Sequence, residues 1–345
     1  MQSVTIGNNQ AGQRLDKFLH KYLPNAGTGF LYKMLRKKNI TLNGKKAEGN
    51  EILSLNDTVS FFFSDETFAK FAGREVSYDK QKKSGSNKEN NLNIEYRRAF
   101  ETLYGIEILY EDEHIVVLNK PAGILTQKAK PDDLSLNEWL IGYLIQNNPR
   151  MAEELHTFKP SVCNRLDRNT SGIVLCGKSL PGSQYLSHCI KERTIQKFYR
   201  TICVGTLKEA SKIEGYLVKN HTKNLVTISQ TANNDRADFI QTAYNPIQMT
   251  SEYTLLEVEL ITGKTHQIRA HLSSIGHPLV GDFKYGNESE NRKLKKAYGL
   301  EYQLLHAYRV IFPKEKSLVG EVVSGREIIA PCPKAFVKLQ DGLGF

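Results

Sequence analysis

Apolar positions near the start of the chain recur first at helical and then at strand spacing. In RLDKFLHKYL, Leu15, Phe18, Leu19 and Tyr22/Leu23 share one side of a helix that starts near Arg14 and stops at Pro24. In GFLYKMLRKKN, Phe30, Leu31, Met34 and Leu35 mark one face of a second helix. ITLNGKKA then reads as strand, turn, strand, with Asn43-Gly44 as the hairpin signal, and LNDTVSFFF reads as a further strand. The pattern breaks in REVSYDKQKKSGSNKENNLN, which is too poor in large apolar groups to offset the entropy of ordering it. Residues 69–104 therefore predict a polar linker, with a short helix near RRAFETLY.

From Gly105 onward strands dominate. IEILYEDEHIVVLNKPAGIL predicts strand, acidic turn, strand and a Pro-Gly corner. LSLNEWLIGYLIQ predicts a helix and AHLSSIG a short one. SGIVLCGKS, KFYRTICVG, YTLLEVELI and LLHAYRVIF predict further strands. Many strands with few strand–helix alternations indicate an α+β protein built on a mixed, mostly antiparallel sheet, not a doubly wound fold. The expected organisation is a small module over residues 1–68, a linker over 69–104 and a large domain over 105–345.

Charge adds a partner to this picture. The net charge is +10, and residues 12–46 hold nine basic side chains against the single acid Asp16. Arg14, Lys33, Arg36, Lys37, Lys38, Lys45 and Lys46 bracket the second helix and the strand–turn, a layout that suits phosphate contacts along RNA. No stretch approaches the ~20 apolar residues that span a bilayer. The N-terminus carries no secretory pattern, so no membrane partner is expected. The five cysteines are odd in number and form no CxxC, which points to reduced thiols in a cytoplasm and away from a disulfide framework or a zinc site.

Two apparent motifs fail. Gly263-Lys264-Thr265 looks like the end of a phosphate-binding P-loop, but the position that must be glycine is Val258. His266, His271 and His277 lack the spacing of a zinc-binding helix, so no metal is expected. The informative stretch is Asn164-Arg165-Leu166-Asp167-Arg168-Asn169-Thr170-Ser171-Gly172, an aspartate between two arginines just before an apolar strand. By residue type alone it fits a structural Asp–Arg pair closing a loop as well as it fits a catalytic carboxylate.

Larger resemblances separate these readings. RLDRNTSG resembles the catalytic-loop motif of the RluA-type pseudouridine synthases, usually HRLD-x-x-TSG. ILYEDEHIVVLNKPAG resembles the family's opening motif, Lys197-Phe198-Tyr199 its K-x-Y strand, and LITGKTHQIRAHLSSIGHPLVGDFKYG its third motif. Leu305-His306-Ala307 and Ala330-Pro331 fit its C-terminal strands, so the resemblance spans about residues 105–335. The first module resembles the alpha-L RNA-binding domain through Arg14-Leu15-Asp16, Arg36-Lys37 and Asn43-Gly44-Lys45. One departure stands out: Asn164 occupies the position where the family usually has His, so no general base is available there.

The resemblance implies isomerisation of uridine to pseudouridine in RNA without cofactor or metal. It implies Asp167 as the carboxylate that detaches the base, Tyr199 as the ring that stacks on it, and Arg269 as the basic partner of the aspartate. Arg165 would fill the gap left by the flipped nucleotide, with Arg168, Lys120, Lys264 and His266 as further RNA contacts. The layout matches the family's large-subunit enzymes, which implies 23S ribosomal RNA or a pre-50S particle as partner and a cytoplasmic monomer. A transfer-RNA synthase, and an RNA-binding assembly factor that has lost catalysis, are the alternatives. Intact Asp167, Tyr199 and Arg269 argue against the second.

Overall fold

The computed structural model describes residues 2–72, 87–149, 151–220, 225–231, 237–315, 319 and 323–345. Much of the expected linker, residues 73–86, lies outside them. The N-terminal unit runs β1 (Gln2–Thr5), α1 (Leu15–Tyr22), α2 (Thr28–Arg36), β2 (Ile40–Leu42), β3 (Lys45–Lys46), β4 (Thr58–Phe61) and α3 (Asp65–Ala72). Its four strands form an antiparallel sheet in the order β1-β4-β2-β3. Leu15, Phe18 and Leu19 of α1 and Leu31 and Leu35 of α2 bury together with Ile40, Val59, Phe61 and Phe68. The helical stripes read from the sequence are thus the faces that close this core. Asn43 (φ 51°) and Gly44 (φ 72°) turn β2 into β3, as the left-handed pair of a two-residue hairpin requires.

The second unit begins with α4 (Asn87–Thr102), β5 (Glu107–Glu111), β6 (Ile115–Lys120), α5 (Leu136–Asn147), α6 (Met151–Glu154), β7 (Ser161–Val162), β8 (Ser171–Gly177) and α7 (Leu180–Lys191). It continues with β9 (Gln196–Val204), β10 (Ser211–Asn220), β11 (Leu225–Ser229), β12 (Asp238–Met249), β13 (Tyr253–Leu260) and α8 (Gln267–Ser274). It ends with α9 (Glu288–Tyr298), β14 (Leu305–Ile311), β15 (Glu327–Ile329) and α10 (Lys334–Gly342). Eleven strands form one sheet, with the main path β11-β10-β12-β13-β9-β14-β8-β6-β5. Among the described residues β14 and β8 run parallel and every other strand pair is antiparallel. The mixed, mostly antiparallel α+β expectation is borne out.

Several elements exceed that expectation. The short helix near residues 97–104 is the end of the sixteen-residue α4, which packs on α5 and buries Ala99. Strands β10, β11 and β12 lie outside the predicted strands: their apolar runs are short, and Pro246 sits at a bulge in β12. At the start of α5, Ser135 accepts the Asn137 N–H at 3.3 Å and donates to Glu138 at 2.5 Å, a variant of the capping box. The two units touch through side chains. Asn9 donates to Glu154 at 2.6 Å, Gln10 to Thr157 at 2.8 Å, and the Tyr22 ring meets His156.

The parallel pair fixes where the catalytic-motif loop enters the sheet. Gly172 opposes Ala307 at a φ of +109°, and a Cβ there would lie 2.2 Å from the Ala307 carbonyl oxygen. Only glycine allows strands to approach so closely. Gly172→Ala should therefore lower stability by about 3 kcal/mol or more, combining strain with separation of β8 from β14. Gly29→Ala is the matched control, because its methyl meets nothing within 4 Å on α2. Urea denaturation of both variants is the measurement. Equal midpoints would show that the close approach carries no cost.

Candidate active site

The loop carrying Asp167 links β7 to β8 and is held from two sides. On the β8 side, Cys163 N–H donates to the Leu175 carbonyl at 2.7 Å, and Leu175 N–H donates to Asn164 Oδ1 at 2.7 Å. The Asn164 carboxamide thus continues a ladder that the backbone has left. On the other side lie residues 121–126. Thr126 Oγ1 donates to the Leu166 carbonyl at 2.8 Å and accepts the Leu166 N–H at 3.1 Å. Gly123 N–H donates to the Arg168 carbonyl at 2.9 Å, and Arg168 Nε donates back to the Gly123 carbonyl at 3.0 Å.

Lys120 completes this clamp and departs from expectation. It is fully buried, and its ammonium donates to the carbonyls of Pro121, Ile124 and Arg168 at 3.0, 2.9 and 3.0 Å. Burial pushes its pKa down to about 7, with the charge of Asp167 opposing. The three carbonyls match the three N–H groups of an ammonium and favour the protonated form. With all three donors used inside the protein, Lys120 has none for an RNA phosphate. It ties the opening-motif strand to the backbone beside Asp167.

Arg269 projects from α8 toward the same carboxylate. Its Nη1 donates to Asp167 Oδ2 at 2.9 Å, while Nε and Nη2 donate to the two oxygens of Asp282 at 2.7 and 2.9 Å. Burial alone would raise the pKa of Asp282. The Arg269 guanidinium and the N–H groups of Lys284 and Tyr285 outweigh it and hold Asp282 below the usual carboxylate range. Burial likewise works against the charge of Arg269, and its two carboxylate partners more than restore it. Asp167 keeps a 26% exposed side chain, the open end of an otherwise closed arrangement.

Tyr199 lies on β9, buried, between β13 and β14. Burial first, then the charge of Asp167, raises its pKa, so the phenol stays protonated. His266 sits at the N-cap of α8, its Nε2 3.8 Å from Asp167 Oδ2. With a 9% exposed side chain it faces the carboxylate and not an outer surface, contrary to its expected place among the phosphate contacts. Arg165 and Arg168 are exposed on the catalytic-motif loop. Lys264 is exposed and pairs with Asp238 at 2.5 Å. Arg14 pairs with Asp16, while Lys33, Arg36, Lys37, Lys38, Lys45 and Lys46 are exposed on the N-terminal unit. Among the described residues no cluster of side chains could hold a metal ion, and no helix is long and apolar enough to cross a membrane.

Asp282, Tyr285 and Thr126 take parts that the sequence reading did not assign. Asp282 and Tyr285 do fall inside the third-motif stretch, and that was their only signal.

The chain is similar to known proteins along most of its length. Residues 114–274 match the family described as RNA pseudouridylate synthase. The chain is 31% identical over 327 residues to the ribosomal large subunit pseudouridine synthase C of Rickettsia prowazekii, covering 91% of each protein. It is 28% identical to the synthase C of Vibrio vulnificus, over 90% of this chain and 88% of the relative. In fold it is similar to human RNA Pseudouridylate Synthase Domain Containing 4, at a TM-score of 0.55 and 23% identity, over 74% of this chain and 97% of the human one. Catalytic-motif loop, buried arginine and full-length relatives converge, and the chain belongs to the RluA family of RNA pseudouridine synthases, which are isomerases.

Proposed function

We propose that this enzyme converts specific uridines of large-subunit (23S) ribosomal RNA to pseudouridine, with Asp167 as the catalytic carboxylate. The observation that carries the assignment is the ion pair between Asp167 and Arg269, braced from behind by Asp282. A carboxylate held by one fixed partner, with its remaining side open, is positioned to act on a nucleotide extruded from the RNA. The N1–C1′ bond breaks, the uracil turns over, and C5 bonds to C1′. The C5 proton leaves and N1 gains one, so product and substrate are isomers and the reaction calls for no cofactor. Asp167 serves either as nucleophile at C1′ or as base at C2′.

Tyr199 supplies a ring for the detached base. A phenol held protonated is a poor base, which favours this role over removal of the C5 proton. Arg165, exposed two residues before Asp167, is placed to fill the gap in the RNA stack. Asn164 acts as a loop anchor through its bond to Leu175 N–H and needs no proton chemistry.

Ribosomal RNA is favoured over transfer RNA by the N-terminal unit and by relatives named for the large ribosomal subunit. In this reading residues 1–68 bind RNA, 69–104 connect, and 105–345 catalyse. The enzyme acts as a cytoplasmic monomer, on 23S RNA or on a pre-50S particle.

Asp167→Asn keeps the shape and removes the charge. It should reduce pseudouridine formation by ~10³-fold or more while leaving RNA affinity near that of the wild type. Tritium release from C5-labelled RNA reads the activity, and a variant within a few-fold of wild type would falsify the assignment. Replacing Lys33, Arg36, Lys37, Lys38, Lys45 and Lys46 by Gln in the full chain should weaken binding to all RNA sequences alike. The plot of log affinity against log salt should become shallower by about 0.7–0.9 for each phosphate that the protein no longer neutralises. An unchanged slope would place this basic surface away from the RNA.

A further inference from the structure

His266 adopts a backbone conformation uncommon for residues other than glycine. Its backbone lies in the left-handed region, φ 55° and ψ 16°, directly before α8. Such a conformation costs a non-glycine residue energy and persists where the surroundings impose it. Here it brings Nε2 to 3.8 Å from Asp167 Oδ2 and Nδ1 to 2.8 Å from the Tyr285 hydroxyl.

The other partner of Tyr285 favours one direction for the second bond. Val226 N–H on β11 donates to the Tyr285 oxygen at 3.0 Å. The hydroxyl hydrogen can then point to His266 Nδ1, the one acceptor within hydrogen-bond distance of it among the described residues. An imidazole that accepts at Nδ1 carries its proton on Nε2 when neutral. The Tyr285 ring also lies against both neighbours, 5.6 Å from the His266 ring and 5.2 Å from the Arg269 guanidinium.

We propose that Tyr285 is a positioning residue that commits His266 to the tautomer whose Nε2–H faces Asp167, making His266 a second donor to that carboxylate beside Arg269 during turnover. The inference rests on the reading of Asp167 as the catalytic carboxylate. A distance of 3.8 Å is longer than a hydrogen bond, and catalytic bonds commonly tighten only with substrate in place. The groups around the imidazole suit a neutral donor. Burial works against its charge, as do Arg269 on α8 and Lys284, while Asp167 and Asp282 work in favour. The net direction is a lowered pKa, so the ring stays neutral at neutral pH. Tyr285 has a pKa raised chiefly by burial and keeps the hydrogen it gives.

The test separates tautomer, backbone and activity. In the full-length protein labelled with ¹⁵N-histidine, the His266 signals are assigned by their loss in His266→Gln. The wild type should show a neutral ring protonated at Nε2, and Tyr285→Phe should show the Nδ1–H form appearing. A wild-type proton on Nδ1, or an unchanged tautomer in Tyr285→Phe, overturns the proposal.

Kinetics on a large-subunit ribosomal RNA transcript give the second readout. Tyr285→Phe and His266→Asn should lower kcat about tenfold with KM within about twofold, and the melting temperature should stay near the wild-type value. His266→Gln places an amide N–H near the Nε2 position and should recover to within about threefold of wild type. Asn tolerates the left-handed backbone better but cannot reach. If Asn rescues and Gln does not, only the backbone matters and the donor role is wrong. If Asp167→Asn retains activity, the reading of the reaction falls, while the tautomer measurement still judges the Tyr285–His266 pair.

Discussion

The site is organised around one buried cation. Arg269 is surrounded by protein, and a guanidinium in that position is tolerable only with its charge matched and its donors used. Asp282, fully buried, takes two of those donors, and Asp167 takes a third. Removal of one partner from such a pair typically costs about 3–5 kcal/mol, because the other charge is left uncompensated. Stability and chemistry therefore draw on the same contact. Asp282 is the structural counter-ion, and it fixes the plane of the guanidinium before any substrate arrives. Asp167 receives a partner whose direction is already set.

The loop is placed by a different kind of interaction. Around Asp167 the backbone leaves its ladder, and side chains replace the missing partners. Asn164 supplies an acceptor to Leu175, Thr126 serves both polar groups of Leu166, and Lys120 ends at the Arg168 carbonyl. Each bond runs to main chain and not to the Asp167 carboxylate. The loop is held through its backbone and leaves the acid group open. This division also accounts for Asn164 where the family usually has His: the position is used through its acceptor, which a carboxamide provides.

Sequence patterns carried far where the physics is local. Leu15, Phe18 and Leu19 announce the α1 face by spacing, and Asn43-Gly44 announces a hairpin by its conformational preference. Asp167, Tyr199 and Arg269 were legible only through resemblance, since an aspartate between arginines also describes a structural pair. What stayed hidden is set by tertiary placement. Asp282 reads as an ordinary loop acid until α8 turns Arg269 toward it. Lys120 reads as a basic residue near a turn, and its burial depends on β8 and on the catalytic-motif loop beside it. His266 reads as a further RNA contact, and nothing in its neighbours announces the left-handed backbone that turns it to Asp167.

The parallel pairing of β8 with β14 bears on the order in which the chain matures. The N-terminal unit completes its core within the first 72 residues. The other unit cannot do so early. Asp167 and Arg269 are 102 residues apart in sequence, and Ser171 bonds to His306 across 135. Contacts of such separation form late, because the intervening chain must first be made and closed. Domains emerging from the ribosome fold from the N-terminus onward. A nascent chain therefore presents its basic N-terminal unit while β14 is still unmade, and brings Asp167 beside Arg269 only late in synthesis.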